Sequence, residues 1–176
     1  AIDPILDGRH ALLLAPTAGG KTEAAAFPVL SRMLTERWSG LSVIYLCPLR
    51  ALLNNLEPRL RYYAGLVGRS VAVWHGDISQ GERRAALRQP PDILLTNYKM
   101  LDFLLLRAAD APLWAHQQPD TLRYLVVDEL HTFDGAQGTD LACLIRRLKG
   151  RLNAPPGQLV CVGTSATLGD DGVSDL

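Results

Sequence analysis

The chain has 176 residues, with 18 basic and 18 acidic side chains, a formal net charge of zero and 48% hydrophobic residues. That length suits one α/β domain with a large core and leaves no room for two, and the balanced charge excludes a global basic field for nucleic acid, though not a localised groove. Cys47, Cys143 and Cys161 are widely spaced and make neither a zinc nor a disulfide pattern; with no signal peptide and no apolar stretch of transmembrane length, a reducing, cytoplasmic setting with no membrane partner is expected.

In chain order, short β-rich runs alternate with helical patterns, which predicts a mostly parallel central sheet with helices on both faces. The first strand, predicted at Ala11–Ala15, runs into Ala15-Pro16-Thr17-Ala18-Gly19-Gly20-Lys21-Thr22 and a helix over Lys21–Trp38, which Pro28 is expected to kink. A second strand at Val43–Cys47 leads through Pro48-Leu49-Arg50 to a helix over Ala51–Tyr63, with Pro58 inside it. A third at Val71–Trp74 leads through His75-Gly76-Asp77 to a helix over Ser79–Leu87, where Arg83, Arg84 and Arg88 read as a solvated face. The fourth, Ile93–Thr96, passes Asn97 into a helix over Lys99–Arg107, and Asp110–Asp120, with its prolines, reads as a surface connection. The fifth, Tyr124–Asp128, ends on Asp128-Glu129-Leu130-His131; a helix over Thr139–Leu152 follows, with Leu141, Leu144, Ile145 and Leu148 on one face. A last strand at Leu159–Gly163 precedes Thr164-Ser165-Ala166-Thr167, and Gly169–Leu176 reads as a polar tail. Trp38, Trp74 and Trp114 read as packing groups, and His10 and His116 as loop residues.

Two of these segments carry chemistry. A glycine-rich turn between a strand and a helix lets successive backbone N–H groups wrap a phosphate, and the helix N-terminus adds a favourable field. Gly19 and Gly20 allow the close approach, Lys21 reaches the β- and γ-phosphates, and the Thr22 hydroxyl is a ligand for Mg²⁺. An acid at the end of a buried strand is costly unless a metal or a cation meets it. Asp128 therefore fits as a holder of Mg²⁺, directly or through water, and Glu129 as the base that positions an attacking water. The plain alternatives are an ordinary helix start at Gly20 and an N-cap pair at Asp128-Glu129.

The ordered segments APTAGGKT, CPLRALLNN, WHGD, LLTNYKML, VVDELH and GTSAT resemble motifs I, Ia, Ib, Ic, II and III of superfamily 2 helicases of the DExH-box type, and together they cover nearly the whole chain. The resemblance implies the first RecA-like, P-loop domain of such a helicase at 1–168, with 169–176 as a tail and a second RecA-like domain beyond the chain. The DELH box with its following loop, and the segment Thr96–Leu101, are most similar to bacterial DNA helicases of the mitomycin-repair branch and of phage-defence islands. By that likeness Thr17 to Thr22 hold ATP, Asp128 and Thr22 hold Mg²⁺, Glu129 orients the water, and His131, Thr164 and Ser165 couple the nucleotide to the nucleic-acid side. Pro48, Arg50, His75, Gly76, Thr96 and Asn97 match segments that touch the backbone of single-stranded or duplex DNA, with RNA as the alternative; each of these segments also has a plain reading as a helix start, a turn or a cap. The likeness implies 3′ to 5′ polarity. A non-catalytic ATP-dependent scaffold is the reading from another class, and the intact Lys21, Asp128 and Glu129 argue against it. Leu130 departs from the small residue usual before the His, and the family's adenine-contacting glutamine segment has no counterpart in the chain. The arginines that stabilise transition-state charge, which typically contribute ~10³–10⁵ in turnover, belong to the second domain of the family. The domain by itself is therefore expected to bind nucleotide better than it hydrolyses it.

Overall fold

Six short aliphatic runs form the strands Ala11–Leu14 (β1), Val43–Leu46 (β2), Val71–Trp74 (β3), Ile93–Thr96 (β4), Tyr124–Val127 (β5) and Val160–Ser165 (β6). The structure, a computed structural model, describes residues 2–16 and 19–166. In it the strands pair in the order β1-β6-β5-β2-β4-β3, and every pairing is parallel. Around the sheet lie helices Ile2–Leu6 (α1), Lys21–Thr35 (α2), Arg50–Leu66 (α3), Gln80–Arg88 (α4), Tyr98–Leu106 (α5) and Gly135–Leu152 (α6), with 3₁₀ turns at Ala108–Trp114 and Leu130–Thr132. The expected RecA-like α/β architecture is present, with element ends displaced by a few residues.

Alternation along each strand builds two cores. Val43 and Tyr45 of β2, with Cys47 just past its end, pack with Val29 and Met33 of α2 and Leu53, Leu56 and Leu60 of α3. Ile44 and Leu46 face the other way, towards Leu101 and Leu104 of α5 and Leu141, Leu144 and Leu148 of α6. Strands β2, β4 and β5 are buried along their whole length, which is why they read as unbroken apolar runs. Each fully buried leucine contributes about 1.5–3 kcal/mol, so packing on the two faces holds the helices more than their own propensity does. This is how α2 continues through Pro28, whose ring is buried, and α3 through Pro58.

Register positions the functional end of the sheet. Leu46 stands level with Val127 and with Thr96, and Trp74 with Thr96. Val127 stands level with Gly163, so Thr164 and Ser165 carry β6 past the end of β5 to where Leu14 pairs with Ser165. The loops after these strands therefore meet on one rim, at the carboxyl edge where open parallel sheets bind ligands. The chain leaves β1 for α2 on one face and β5 for α6 on the other, which places a crevice between them.

The structure corrects two expectations. Residues 110–120 are not a surface connection throughout: Asp110, Leu113 and Trp114 are buried in the 3₁₀ turn, and the Trp114 indole donates to the Leu104 carbonyl at 2.8 Å. Arg83 does not belong to a solvated face either. It donates to the fully buried Asp110 at 2.8 Å and lies over the Trp74 ring at 5.3 Å. A buried carboxylate demands a cation, and Arg83 answers it across the gap between α4 and the turn, with Arg107 at 3.6 Å. The short helix α1 has no counterpart in the sequence reading; the Tyr124 hydroxyl donates to its Ile5 carbonyl. Trp38, Trp74 and Trp114 are buried packing groups, as expected. Asp110→Ala is expected to lower unfolding free energy by about 1–3 kcal/mol, whereas Arg84→Ala on the exposed side of α4 changes it by less than about 0.5 kcal/mol. Denaturant titration of both variants checks this, and equal losses would count against a specific role for the buried pair.

Candidate active site

The turn between β1 and α2 is shaped by its glycines. A Cβ on Gly19 would lie 2.8 Å from the Pro16 carbonyl oxygen, and Gly20 has φ of +72° at the N-cap of α2. One glycine permits a close approach and the other a left-handed backbone. Lys21, 7% exposed, donates its ammonium to the carbonyls of Ala15 at 2.8 Å and Pro16 at 3.3 Å. Carbonyl dipoles hold this charge without neutralising it, so the ammonium is set to meet an anion at the turn. Thr17 and Ala18 lie outside the described residues.

Opposite stands the acidic end of β5. The Asp128 N–H donates to the Leu46 carbonyl at 2.8 Å, extending the ladder by one residue. The Thr164 hydroxyl donates to the Asp128 carboxylate and accepts the Glu129 N–H at 3.2 Å. Glu129 has φ of +49°, a conformation that costs a residue with a side chain about 1–3 kcal/mol and persists only where its surroundings impose it. Its Oε2 is buried and makes no well-formed hydrogen bond among the described residues, although His131 Nδ1 is 3.4 Å away at ion-pair distance; the geometric shortfall leaves this oxygen able to accept from another donor. His131 Nδ1 is also 3.2 Å from the Ser165 hydroxyl, and the tautomer decides which of the two donates. Thr164 and Ser165, expected to couple the site, are thus in direct contact with three of the four residues of the acidic box.

Leu130 finds its space through Gly163. A Cβ at Gly163 would come within 2.9 Å of Leu130 Cδ2 and 3.0 Å of Leu12 Cδ1. The bulk that departs from the family pattern is matched by a missing side chain on the adjacent strand. Gly163→Ala is expected to weaken nucleotide affinity several-fold by pushing the 130 turn, and Leu130→Ala in the same chain should recover most of it. Nucleotide titrations of the single and double variants test this; losses that simply add would break the link.

Between the two segments lies an open cleft of about 330 Å³, lined by Gly19 to Glu23, Asp128, Glu129 and one stripe of α3: Leu52, Asn55, Leu56 and Arg59. That stripe and Glu23 were not singled out in the sequence. Arg59 pairs with the Glu23 carboxylate, which also accepts from the Tyr63 hydroxyl at 3.0 Å. Burial pushes the Glu23 pKa up, but the hydrogen bonds from Arg59 and Tyr63 outweigh it, and the group titrates below the usual carboxylate range. The spacing 52, 55, 56, 59 is one helical face on which Asn55 and Arg59 interrupt an apolar pattern. That is a usable signal, but only the fold puts this face beside the phosphate turn.

The donors fit a small hard cation. The Thr22 hydroxyl and the Asp128 carboxylate share the cleft, and among the described residues no cluster of three His, Cys, Asp or Glu forms a dedicated metal cage. Mg²⁺ is typically held in this way, by one or two protein oxygens together with substrate phosphates.

The remaining predicted residues divide. Pro48 and Asn97 border a second hollow of about 360 Å³, together with Leu49, Tyr98, Lys99, Thr132, Phe133 and Gln137. Asn97 also caps α5, accepting the Met100 N–H at 2.9 Å. Arg50, the first residue of α3, pairs with Asp77 across the rim. His75 and Asp77 border a third hollow, of about 540 Å³, along the outer strand β3, and a Cβ on Gly76 would meet open space. Thr96 is placed differently from the expectation: it is fully buried, and its hydroxyl donates to the Trp74 carbonyl at 2.6 Å. It braces the rim from inside and does not reach the surface.

The model of the family described as DEAD/DEAH box helicase matches residues 1–176. The chain is 33% identical to the ATP-dependent helicase Lhr-Core of Methanothermobacter thermautotrophicus, over 96% of this chain and 20% of that protein. It superposes on the helicase Lhr of Mycobacterium smegmatis, solved with ssDNA and AMP-PNP, with a TM-score of 0.77 and 31% identity over 94% of this chain and 22% of that one. On the DUF1998 helicase MrfA, solved with DNA and AMPPNP, the TM-score is 0.79 and the identity 28%, over 96% and 23% of the two chains. The chain therefore spans about a fifth of the length of each of these relatives. The Lhr helicases were not singled out by the motif reading.

Proposed function

Since the chain belongs to the DEAD/DEAH box helicase family, we propose that it is the ATP-binding motor domain of a DNA helicase or translocase, part of a longer protein that couples ATP hydrolysis to movement along a strand. The observation that carries this is the single cleft uniting Gly19–Thr22 with Asp128 and Glu129. The triphosphate lies on the turn, with Lys21 turning from its carbonyls to the β- and γ-oxygens. Thr22 and Asp128 would hold Mg²⁺, which would neutralise phosphate charge. Glu129, whose Oε2 has acceptor capacity to spare, would accept a hydrogen bond from the attacking water and take its proton as the water oxygen bonds to the γ-phosphorus. Thr164 passes the state of Asp128 and Glu129 to β6, and Ser165 with His131 carries it to the rim. A second RecA-like domain of the longer protein closes the cleft.

DNA is favoured over RNA because the Lhr and MrfA structures on which the chain superposes carry ssDNA or DNA by their own descriptions. The rim suits a backbone grip: α3 and α5 present their N-termini there, with Arg50, Asn97 and Lys99 beside them. A cation at the first position of a helix opposes the helix dipole, so Arg50 is better explained by a phosphate partner than by helix stability.

In the full-length protein Lys21→Ala is expected to abolish nucleotide binding and ATPase while leaving the fold intact. Glu129→Gln should bind ATP as the parent does and lose turnover by at least ~10²-fold. Normal turnover in Glu129→Gln would move the base elsewhere, and normal ATPase in Lys21→Ala would remove the phosphate-turn assignment.

This domain alone, with zero net charge, should bind single-stranded DNA weakly, with an affinity that falls as salt rises and does not depend on sequence. Titration against two unrelated oligonucleotides at low and moderate salt tests this. Tight, salt-insensitive or sequence-selective binding would contradict a backbone grip.

A further inference from the structure

Tyr45 stands in the middle of β2, on the face covered by α2 and α3, and is 1% exposed. Its ring belongs to the core. The void beside it measures about 10 Å³ and is walled by Ala26, Val29, Leu30, Val43, Leu60, Ile93 and Val126. That is at the lower limit for one water and offers none of the polar partners a water needs. A phenylalanine would pack equally well there. The hydroxyl is nevertheless present, buried and without a well-formed hydrogen bond among the described residues, a burden that a core position ordinarily sheds.

Tyr45 shares a wall with Ala26 of α2, one helical turn after Thr22, which lines the nucleotide cleft. Thr22 is close to the Tyr45 hydroxyl but short of a well-formed hydrogen bond. Burial, then the nearby Asp128 and Cys47, raise its pKa well above the ordinary phenol value, so it remains protonated and can both donate and accept. Thr22, Glu23 and Asp128, which all act on this hydroxyl, line the cleft itself. Tyr45 does not line it, so the hydroxyl acts through a neighbour.

A threonine hydroxyl that gives a lone pair to a cation must aim its proton elsewhere, at an acceptor behind it. We propose that Tyr45 is a positioning residue for nucleotide and metal loading: its oxygen accepts the Thr22 hydroxyl proton and so holds the Thr22 lone pairs towards the phosphate side of the cleft. The phenolic proton is left to a carboxylate, Asp128 or Glu23, the two whose charge acts on it. This rests on the assignment of Thr22 and Asp128 to the metal, and it assigns a role to a residue outside every motif.

The test uses the full-length protein and a fluorescent ATP analogue, titrated with and without added magnesium, on Tyr45→Phe, Thr22→Ala, the double variant and Lys21→Ala. Tyr45→Phe should keep or raise the melting temperature of the ligand-free protein, since it removes only an unpaired buried oxygen. Its affinity with magnesium should fall roughly 3- to 10-fold, the scale of one hydrogen bond, and its affinity without magnesium should not change. On the Thr22→Ala background Tyr45→Phe should have no further effect. A lower melting temperature with unchanged magnesium-dependent affinity would make the hydroxyl structural, and additive losses with Thr22→Ala would show that it does not act through Thr22. If Lys21→Ala binds normally, the nucleotide site itself is misplaced and the proposal falls with it, whatever Tyr45→Phe does.

Discussion

The parallel register of the sheet is the constraint on which the rest of this structure depends. In a parallel pair each strand must start again from the same end, so every carboxyl terminus arrives at one edge and every crossover returns beneath it. Here the partners Leu46–Val127, Leu46–Thr96 and Val127–Gly163 bring the central strands out almost level. The phosphate turn, the acidic box and the hydroxyls of β6 are far apart in the chain and meet only because of that edge. A slip of one residue in β6 would turn Thr164 away from Asp128 and present Gly163 instead.

Thr164 turns this alignment into a mechanical link. One hydroxyl donates to the carboxylate of Asp128 and accepts the backbone N–H of Glu129, whose positive φ is held in place by that contact. The Asp128 carboxylate and the Glu129 N–H thus share one hydroxyl, and the next residue of the same strand, Ser165, meets His131. The packing of Leu130 against Gly163 ties the same turn to β6 through a contact that leaves no slack.

The polar groups that lack a structural reason mark the working surfaces. Arg83 and Asp110 satisfy each other inside the fold and need no ligand. Arg50 is different, being placed against the helix dipole and paired across the rim with Asp77. Lys21 is enclosed among carbonyls, and the Glu129 and Tyr45 oxygens are buried without full partners. Of these last three residues, Lys21 and Glu129 line one cleft, and Tyr45 lies in the core outside its lining.

The sequence by itself determined the alternation of strands and helices and the α/β architecture, and it singled out Gly19–Thr22, Asp128 and Glu129, which the fold brings to one cleft, because these are local signals. Apolar period, glycines at a tight turn and acids ending a strand are each legible within a few residues. It also carried Thr164 and Ser165, through the order of motifs. What it did not carry was which side chains share a wall. Thr96 looked like a rim residue and is buried against Trp74, while Asn55 and Arg59, which carried no motif signal, line the cleft. The loop at Asp110 looked solvated, and Arg83 with it, because a buried ion pair between segments 27 residues apart leaves no periodic trace in either. Strand order and register are set by the packing of whole layers on both faces of the sheet, and only the tertiary structure decides them.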